Sequence, residues 1–438
     1  MVTWTGEAEP GFPYWWEALK EIAEPEDCPL PPRVDLLVIG AGYAGLSAAL
    51  AAQDCGATVA VVDSVRPGDG ASTRNGGMFG AHPRLSWPRL AAQFGEETAD
   101  ALFAEAAPAR AFVLDLIERE GIACDLQRTG RIQLAWARSH LESQKRLARD
   151  VRDKSEVEVE TLDRAATTRE IATERYFGGL LFPDHCAIHP AKFHRGLWAG
   201  AVDKGITVTA NAAVTGYTRE GGGFSVETLR GPVRADKIVL ATNGYTPGFF
   251  RWHVARVFPL PSYIIATEEL PSNLIGHLAP GRRMMVETRA RHSYFRISPD
   301  GKRILFGGRA SMRDIPLDLA ARRQHVTMCE VWPELRDAKL SHVWSGNTGY
   351  SFTEMPHVGE DRGLHFAMGF SGSGTVMAPY LGAKAAFRAM GDARGETAYA
   401  RTPFRRHWLH PTTTPHFLRA ADLWYRSWVD TRDRMAGR

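Results

Sequence analysis

Gly40, Gly42 and Gly45 stand at the spacing GxGxxG, with Ala41, Tyr43 and Ala44 between them, and a carboxylate, Asp63, follows about 20 residues further on. Each position has a physical task in binding a dinucleotide. Gly40 permits a tight turn, Gly42 lets backbone approach a pyrophosphate, and Gly45 lets the following helix pack closely on the preceding strand. The N-terminus of that helix then presents free N–H groups and the positive end of its dipole to phosphate. Asp63 is placed to accept both hydroxyls of a ribose.

A second glycine-rich loop follows the acid. It runs from Gly68 through Ser72, Thr73, Arg74, Asn75, Gly76 and Gly77 to Met78. NAD needs no such loop, whereas the loop makes sense if the pyrophosphate and ring of a flavin are to be enclosed by backbone N–H donors. The alternative for these residues is a flexible surface loop. A third segment, Ser371-Gly372-Ser373-Gly374-Thr375, opens a helical run from Ala378 to Ala389. It would place a second helix N-terminus toward the electron-rich N1–C2=O edge of a flavin. Val214, Ala241, Thr242 and Gly244 end intervening strands and are expected to border the same cofactor.

The elements around these residues form a β-α-β unit. Val34 to Ile39 is a short apolar run suited to a buried parallel strand. Leu46 to Ala52 is rich in helix formers, Gly56 ends the helix, and Thr58 to Val62 is the second strand. Further strands are expected at Ile206–Thr209, Ala235–Leu240 and Leu364–Met368. A hairpin is expected between Ser293–Ser298 and Arg303–Gly308 across the turn Pro299-Asp300-Gly301. The fold class is therefore α/β with an α+β second domain. A Rossmann-like FAD-binding domain (33–90, 190–250 and 345–390) interleaves with a substrate domain on a mostly antiparallel sheet (91–189 and 251–344). An N-terminal extension (1–32) and a C-terminal helical segment (391–438) flank them. In that last segment Leu418 to Met435 reads as an amphipathic helix packing through Trp424, Tyr425 and Trp428.

Composition narrows the function classes. The 438 residues exceed what one core usually supports. A net charge of +3 does not suggest nucleic acid or an anionic membrane as the main partner, and no apolar run approaches a membrane span. Residues 1–26 lack the pattern of a secretory signal. Five scattered cysteines (Cys28, Cys55, Cys124, Cys186 and Cys329) form no CxxC pair. They point to a reducing cytoplasm and to neither a disulfide framework nor a metal site. Monomer and homo-oligomer both stay open.

Taken together, these motifs resemble the D-amino-acid oxidase/glycine oxidase superfamily of FAD-dependent amine oxidases, and most closely its γ-glutamylputrescine oxidase-like branch. The resemblance rests on Tyr14-Trp15, the run Val38 to Ser47, and Gly70-Ala71-Ser72-Thr73-Arg74-Asn75-Gly76-Gly77, where Thr73 replaces a glycine of the signature. It extends to Ile188-His189-Pro190, Tyr294-Phe295-Arg296, Phe306-Gly307-Gly308, Trp344-Ser345-Gly346 and Gly369 to Gly374, where relatives often carry His at Ser373. It implies oxidation of a C–N bond by hydride transfer to flavin N5, hydrolysis of the imine, and reoxidation by O2 to give H2O2. The substrate would be a small amine or amino acid. Monomeric sarcosine oxidases of this superfamily attach FAD to a cysteine before the last glycine loop. Gly349 to Pro356 holds none, so a noncovalent FAD is expected. They also carry a lysine near N5 that promotes reaction with O2, for which this chain offers only Lys302, beside a turn.

Four residues are candidates for contact with substrate. Arg296 and Arg309 can grip a carboxylate bidentately, and Tyr294 shares a strand face with Arg296 by the period of two. For each arginine the alternative is an ordinary surface ion pair. His189 reads equally as a substrate contact or as a structural hydrogen-bonding residue. Trp344 reads as core in preference to a flavin contact, and Tyr14-Trp15-Trp16 as a cap on the fold. Two other functions stay open: an FAD amine dehydrogenase passing electrons to a quinone or electron-transfer protein, and a non-catalytic flavin-binding protein.

Overall fold

The computed structural model describes residues 2–80, 82–408, 410 and 414–437. Two eight-stranded sheets organise them. In the first, Leu364–Met368, Gly231–Leu240, Arg33–Ile39, Val59–Val62 and Thr207–Thr209 lie side by side and all parallel. His357–Asp361 closes one edge as an antiparallel hairpin partner, and Val214–Glu220 and Gly223–Thr228 extend antiparallel from Gly231–Leu240. Leu36, Leu37 and Val38 are fully buried, Leu36 and Val38 toward the helices Tyr43–Gln53 and Gly374–Ala389, and Leu37 toward the antiparallel strands Val214–Glu220 and Gly223–Thr228. Two-sided burial is why the strand reads as a continuous apolar run with no alternation.

The helix Tyr43–Gln53 leaves this first strand through the glycine turn and packs closely against it. A β-carbon at Gly45 would lie 1.8 Å from the Gly40 carbonyl oxygen, so no larger residue fits. The helix Gly374–Ala389 crosses it at a similar contact: a β-carbon at Gly382 would stand 2.1 Å from the Ala44 oxygen. Two close-packed helices thereby bring their N-termini to the same end of the sheet.

The second sheet runs Leu340–Ser351, Val257–Thr267, Ile304–Gly308, Ser293–Ile297, Met284–Glu287, Arg131–Leu134, Gly179–Phe182 and Glu160–Leu162. It is antiparallel except where Met284–Glu287 meets Arg131–Leu134. The expected hairpin is present, with Ser293 opposite Gly308. Alternation divides its faces: Ile132, Leu134, Met285, Phe295 and Phe306 enter one core, while Arg131, Gln133, Val286 and Tyr294 look the other way into a cavity. Leu340–Ser351 runs past residue 345, where a return to the nucleotide unit is expected. Pairing along the whole length of Val257–Thr267 holds it in the second sheet to Ser351.

Of the three residues expected on the packing side of the C-terminal segment, Tyr425 packs against the cluster of Phe258, Leu260, Met312, Tyr350 and Leu418, and the two tryptophans do not. Trp424 and Trp428 are 58% and 57% exposed, whereas Leu418, Asp422, Val429 and Asp433 are buried. Asp422 accepts from the Met312 amide and Ser311 hydroxyl, and the Asp433 carboxylate from the Ala290 amide. Directed hydrogen bonds, invisible to hydropathy, decide which side faces inward. Among the described residues no helix is long and apolar enough to cross a membrane, and the five cysteines form no disulfide.

Candidate active site

Two cavities open along the seam between the sheets. The smaller, 490 Å³, lies over the ends of the parallel strands and is lined by Gly40, Gly42, Asp63, Ser72, Val214 and Thr242, among others. The larger, 860 Å³, lies between the glycine loops and the polar face of the second sheet. Ala71, Asn75, Thr348, Gly372 and Thr375 line both, so the two are contiguous.

The smaller cavity has the features a dinucleotide requires. Neither helix pointing into it is capped by a side chain: Gly42 and Ser373 occupy the N-cap positions without a capping bond, which leaves first-turn N–H groups for an anionic ligand. One donor is engaged from the second loop, where Ser72 Oγ accepts from the Tyr43 amide at 3.0 Å. A β-carbon at Gly42 would stand 2.9 Å from that same oxygen. Asp63 accepts from the amides of Ala41 and Val65, and burial raises its pKa. Ribose hydroxyls are the natural further donors to it.

Among the other expected cofactor residues, Tyr43, Ala44, Asn75, Ala241, Gly374 and Thr375 line the smaller cavity, and Arg74, Gly76, Met78, Ser371 and Ser373 the larger. Gly372 lines both. Ala41, Gly45, Gly77 and Gly244 line neither: Gly45 serves the close packing of the helix on the turn, and the other three shape the backbone around the cavities. Ala41 binds Asp63 through its amide and His194 through its carbonyl. Burial lowers the His194 pKa to about 4, so a neutral ring donates that second bond. Gly244 packs on Gly349.

The loop 70–77 is braced from outside the cavities by aromatic side chains. Trp15 Nε1 donates to the Asn75 carbonyl at 2.8 Å, Trp16 Nε1 to Thr73 Oγ1 at 2.8 Å, and Trp344 Nε1 to the Arg74 carbonyl at 2.9 Å. Arg74 lies over the Trp16 ring and donates to the carbonyls of Asp69, Gly11 and Ser345. The Tyr14-Trp15-Trp16 cluster therefore holds the loop 70–77 in place rather than merely capping the surface. Trp344 is fully buried and away from both cavities.

The four substrate candidates separate. Tyr294 lines the larger cavity, its hydroxyl 2.9 Å from Ser262 Oγ, and burial pushes its pKa up to about 12. Its ring occupies space that β-carbons at Gly76 and Gly307 would invade, at 2.9 and 2.4 Å. Arg309 lines the same wall, lies over the Tyr350 ring and donates to the Tyr350 hydroxyl.

Arg296 leaves the same strand face as Tyr294 but stands off the cavity. Its buried guanidinium donates to the carbonyls of Ile297, Gly77 and Ile188 and to Gln127 Oε1. It is a brace: four of its five donors are spent on protein acceptors away from the cavity, which leaves no bidentate grip for a substrate carboxylate. His189 is likewise off both cavities. It caps the helix Pro190–Asp203 by accepting from the Lys192 amide and packs edge-on against Trp15. Burial lowers its pKa to about 4, which keeps the ring neutral.

Residues not anticipated from the motifs also form the larger cavity. Arg84, Arg131, His82, His292, Ser262 and Tyr350 line it. Arg84 donates to the Ser371 carbonyl and pairs with Glu354. Tyr350 was within reach of a sequence reading, since it adjoins the glycine of Gly349-Tyr350-Ser351. His82 and Arg131 carry no local signal.

The DAO model, described as FAD dependent oxidoreductase, matches residues 35–388. The chain belongs to this family of FAD dependent oxidoreductases. It is 32% identical over 409 residues to a probable oxidoreductase OrdL of Rhizobium meliloti (strain 1021), covering 90% of this chain and 91% of the relative. It is 28% identical over 371 residues to the gamma-glutamylputrescine oxidoreductase of Escherichia coli (strain K12), covering 84% and 86%. Among solved structures, glycine oxidase from Geobacillus kaustophilus superposes with a TM-score of 0.72 at 19% identity, over 86% of this chain and 99% of that one.

Proposed function

We propose that this protein oxidises the C–N bond of a secondary amine, an N-substituted amino acid or a polyamine conjugate, with O2 as electron acceptor and H2O2 as product. The supporting observation is the contiguity of the two cavities at Ala71, Asn75, Thr348, Gly372 and Thr375. A ligand whose nucleotide end fills the smaller can present its reactive end to the larger. FAD bound there supplies a two-electron acceptor. None of the five cysteines lines either cavity, which supports noncovalent attachment. The same reading puts the protein in the cytoplasm. The names of the relatives, a gamma-glutamylputrescine oxidoreductase and a glycine oxidase, support a substrate containing an amine.

The chain's residues orient that substrate. Arg309 holds a carboxylate by charge-assisted hydrogen bonds. Leu260, Met312 and Phe258 supply an apolar flank that displaces water. The Ser262–Tyr294 pair offers a hydroxyl, neutral at physiological pH, as a hydrogen-bond partner for the amine. Arg84 and Arg309 disfavour a second positive charge nearby, so a bound ammonium gives up its proton more readily than in water. The rate constant should therefore rise with pH, with an apparent pKa in the substrate complex below that of the free amine.

One observation supports the alternative acceptor. Among the described residues no lysine lines either cavity, and Lys302 is exposed and paired with Glu269. An amine dehydrogenase delivering electrons to a quinone or electron-transfer protein would need no such residue. Anaerobic mixing of the yellow protein with a panel of primary and secondary amines decides the substrate class by bleaching of the flavin band. Admitting air and assaying H2O2 decides the acceptor. If no amine bleaches the band, the amine reading is wrong.

A further inference from the structure

The wall of the larger cavity carries more positive charge than its own carboxylates neutralise. Glu287 is taken by Arg289, and Glu354 by Arg84 and Arg89. Arg74, Arg309 and Arg131 remain without a carboxylate partner among the described residues, and of these Arg74 is held by the carbonyls of Asp69, Gly11 and Ser345. Arg309 is the position already given to a substrate carboxylate. Arg131 stands elsewhere on the same face. Among the described residues its side chain hydrogen-bonds only to His82, at 2.9 Å, with the Phe182 ring packed beside both. Its Nε is buried without a partner. Gln133, two residues along the same strand face, also lines the cavity and has an unpartnered amide oxygen.

Burial in this setting disfavours the charged guanidinium, lowering its pKa to about 10. His82 is held neutral by burial and by Arg131 itself. A cation desolvated against a neutral imidazole and an aromatic ring lacks the anion that normally compensates such a position.

The sheet register sets the spacing. Arg131 lies three strands from the strand that ends before Arg309. Gly308, Ser293, Glu287 and Leu134 form one row across the sheet, with Arg131 three residues before that row and Arg309 one beyond it. With strands about 4.8 Å apart and about 3.3 Å per residue, the two α-carbons are on the order of 20 Å apart.

We propose that Arg131, backed by His82 and Phe182, is a second anion-binding position, which takes a carboxylate at the end of the substrate remote from the C–N bond being oxidised. The substrate class is then an elongated amine with anionic groups at both ends, one held at Arg309 and one at Arg131. This rests on the proposed amine oxidation for the word substrate, while the anion position is testable without turnover.

The test titrates the FAD-loaded protein with α,ω-dicarboxylates of increasing chain length and with the matching monocarboxylates, reading the shift of the visible flavin band. Beyond a threshold length the dicarboxylate should bind roughly 10- to 100-fold tighter than the monocarboxylate, as expected for hydrogen bonds to a charged group. Arg131→Gln should abolish that advantage, and Arg131→Lys should keep part of it. Equal affinity of the two series for the unaltered protein overturns the proposal, whether or not either variant folds. So does an advantage that survives Arg131→Gln, which would assign the second carboxylate to another group. If the dicarboxylates behave as expected but no amine bleaches the flavin, the chemistry falls and the anion position stands.

Discussion

The wall of the smaller cavity is made of backbone and small side chains at two turn–helix junctions, whereas the larger is walled by long side chains from strands far apart in sequence. In the first, the chemistry is carried by amide groups whose positions follow from a strand, a turn and a helix contiguous in the chain. In the second, Arg131, Tyr294, Arg309 and Tyr350 come from four strands or their ends, and each acquires its role from neighbours on other elements, His82 for Arg131, Ser262 for Tyr294, and Arg309 and Tyr350 for each other. Backbone recognition suits a cofactor that does not vary. Side-chain recognition leaves the substrate free to change while the fold stays.

This contrast can be broken most directly at Gly45. A β-carbon there meets the Gly40 oxygen at 1.8 Å, so Gly45→Val should yield a protein without bound FAD, seen as loss of the visible flavin spectrum on purification. Stoichiometric flavin in that variant would mean that the helix can retreat and the turn is not the determinant. Arg296→Met removes four donated bonds from a buried site and should lower unfolding stability by about 3 kcal/mol. Chemical denaturation measures it. An unchanged midpoint with a raised KM would instead return Arg296 to the substrate.

Arg309→Met sharpens the other side. It should reduce kcat/KM for a carboxylate-bearing amine by about 10- to 100-fold and leave flavin content alone. Steady-state kinetics on amines with and without a carboxylate makes the comparison, and an equal loss on both would deny Arg309 a carboxylate role.

A pH effect follows from the buried histidines of the nucleotide side. His189 and His194 have folded-state values near 4, lowered by burial, against about 6.5 in an unfolded chain. Depressed values mean that the unfolded state binds protons first as pH falls. Their contribution to stability is therefore complete above about 6.5 and is lost progressively toward 4. The thermal midpoint should decline across that window, and a flat profile would exclude the neutral assignments. The smallest effect is expected at Trp16→Phe. It loses the bond to Thr73 and should weaken FAD retention by about 1 kcal/mol, measured by flavin dissociation in mild denaturant.

Legibility in the sequence followed the same division. Gly40, Gly42, Gly45 and Asp63 could be assigned tasks because a strand–turn–helix places them by local geometry alone. The hairpin Ser293 to Gly308 was readable for the same reason, and so was the shared face of Tyr294 and Arg296. What the period of two could not show is that the Arg296 head reaches past the cavity to Gly77 and Ile188. Nor could hydropathy show that Trp424 and Trp428 face outward, because the inward choice is made by Asp422 and Asp433 finding amide donors.

By itself the sequence determined a dinucleotide-binding turn, the loops that extend it to FAD, and two kinds of sheet, since all of these rest on contacts between residues near in the chain. Only the tertiary structure decided which arginines are braces and which line a cavity. A guanidinium's role depends on which carbonyls and carboxylates the fold brings within reach of it, and those partners lie anywhere along 438 residues.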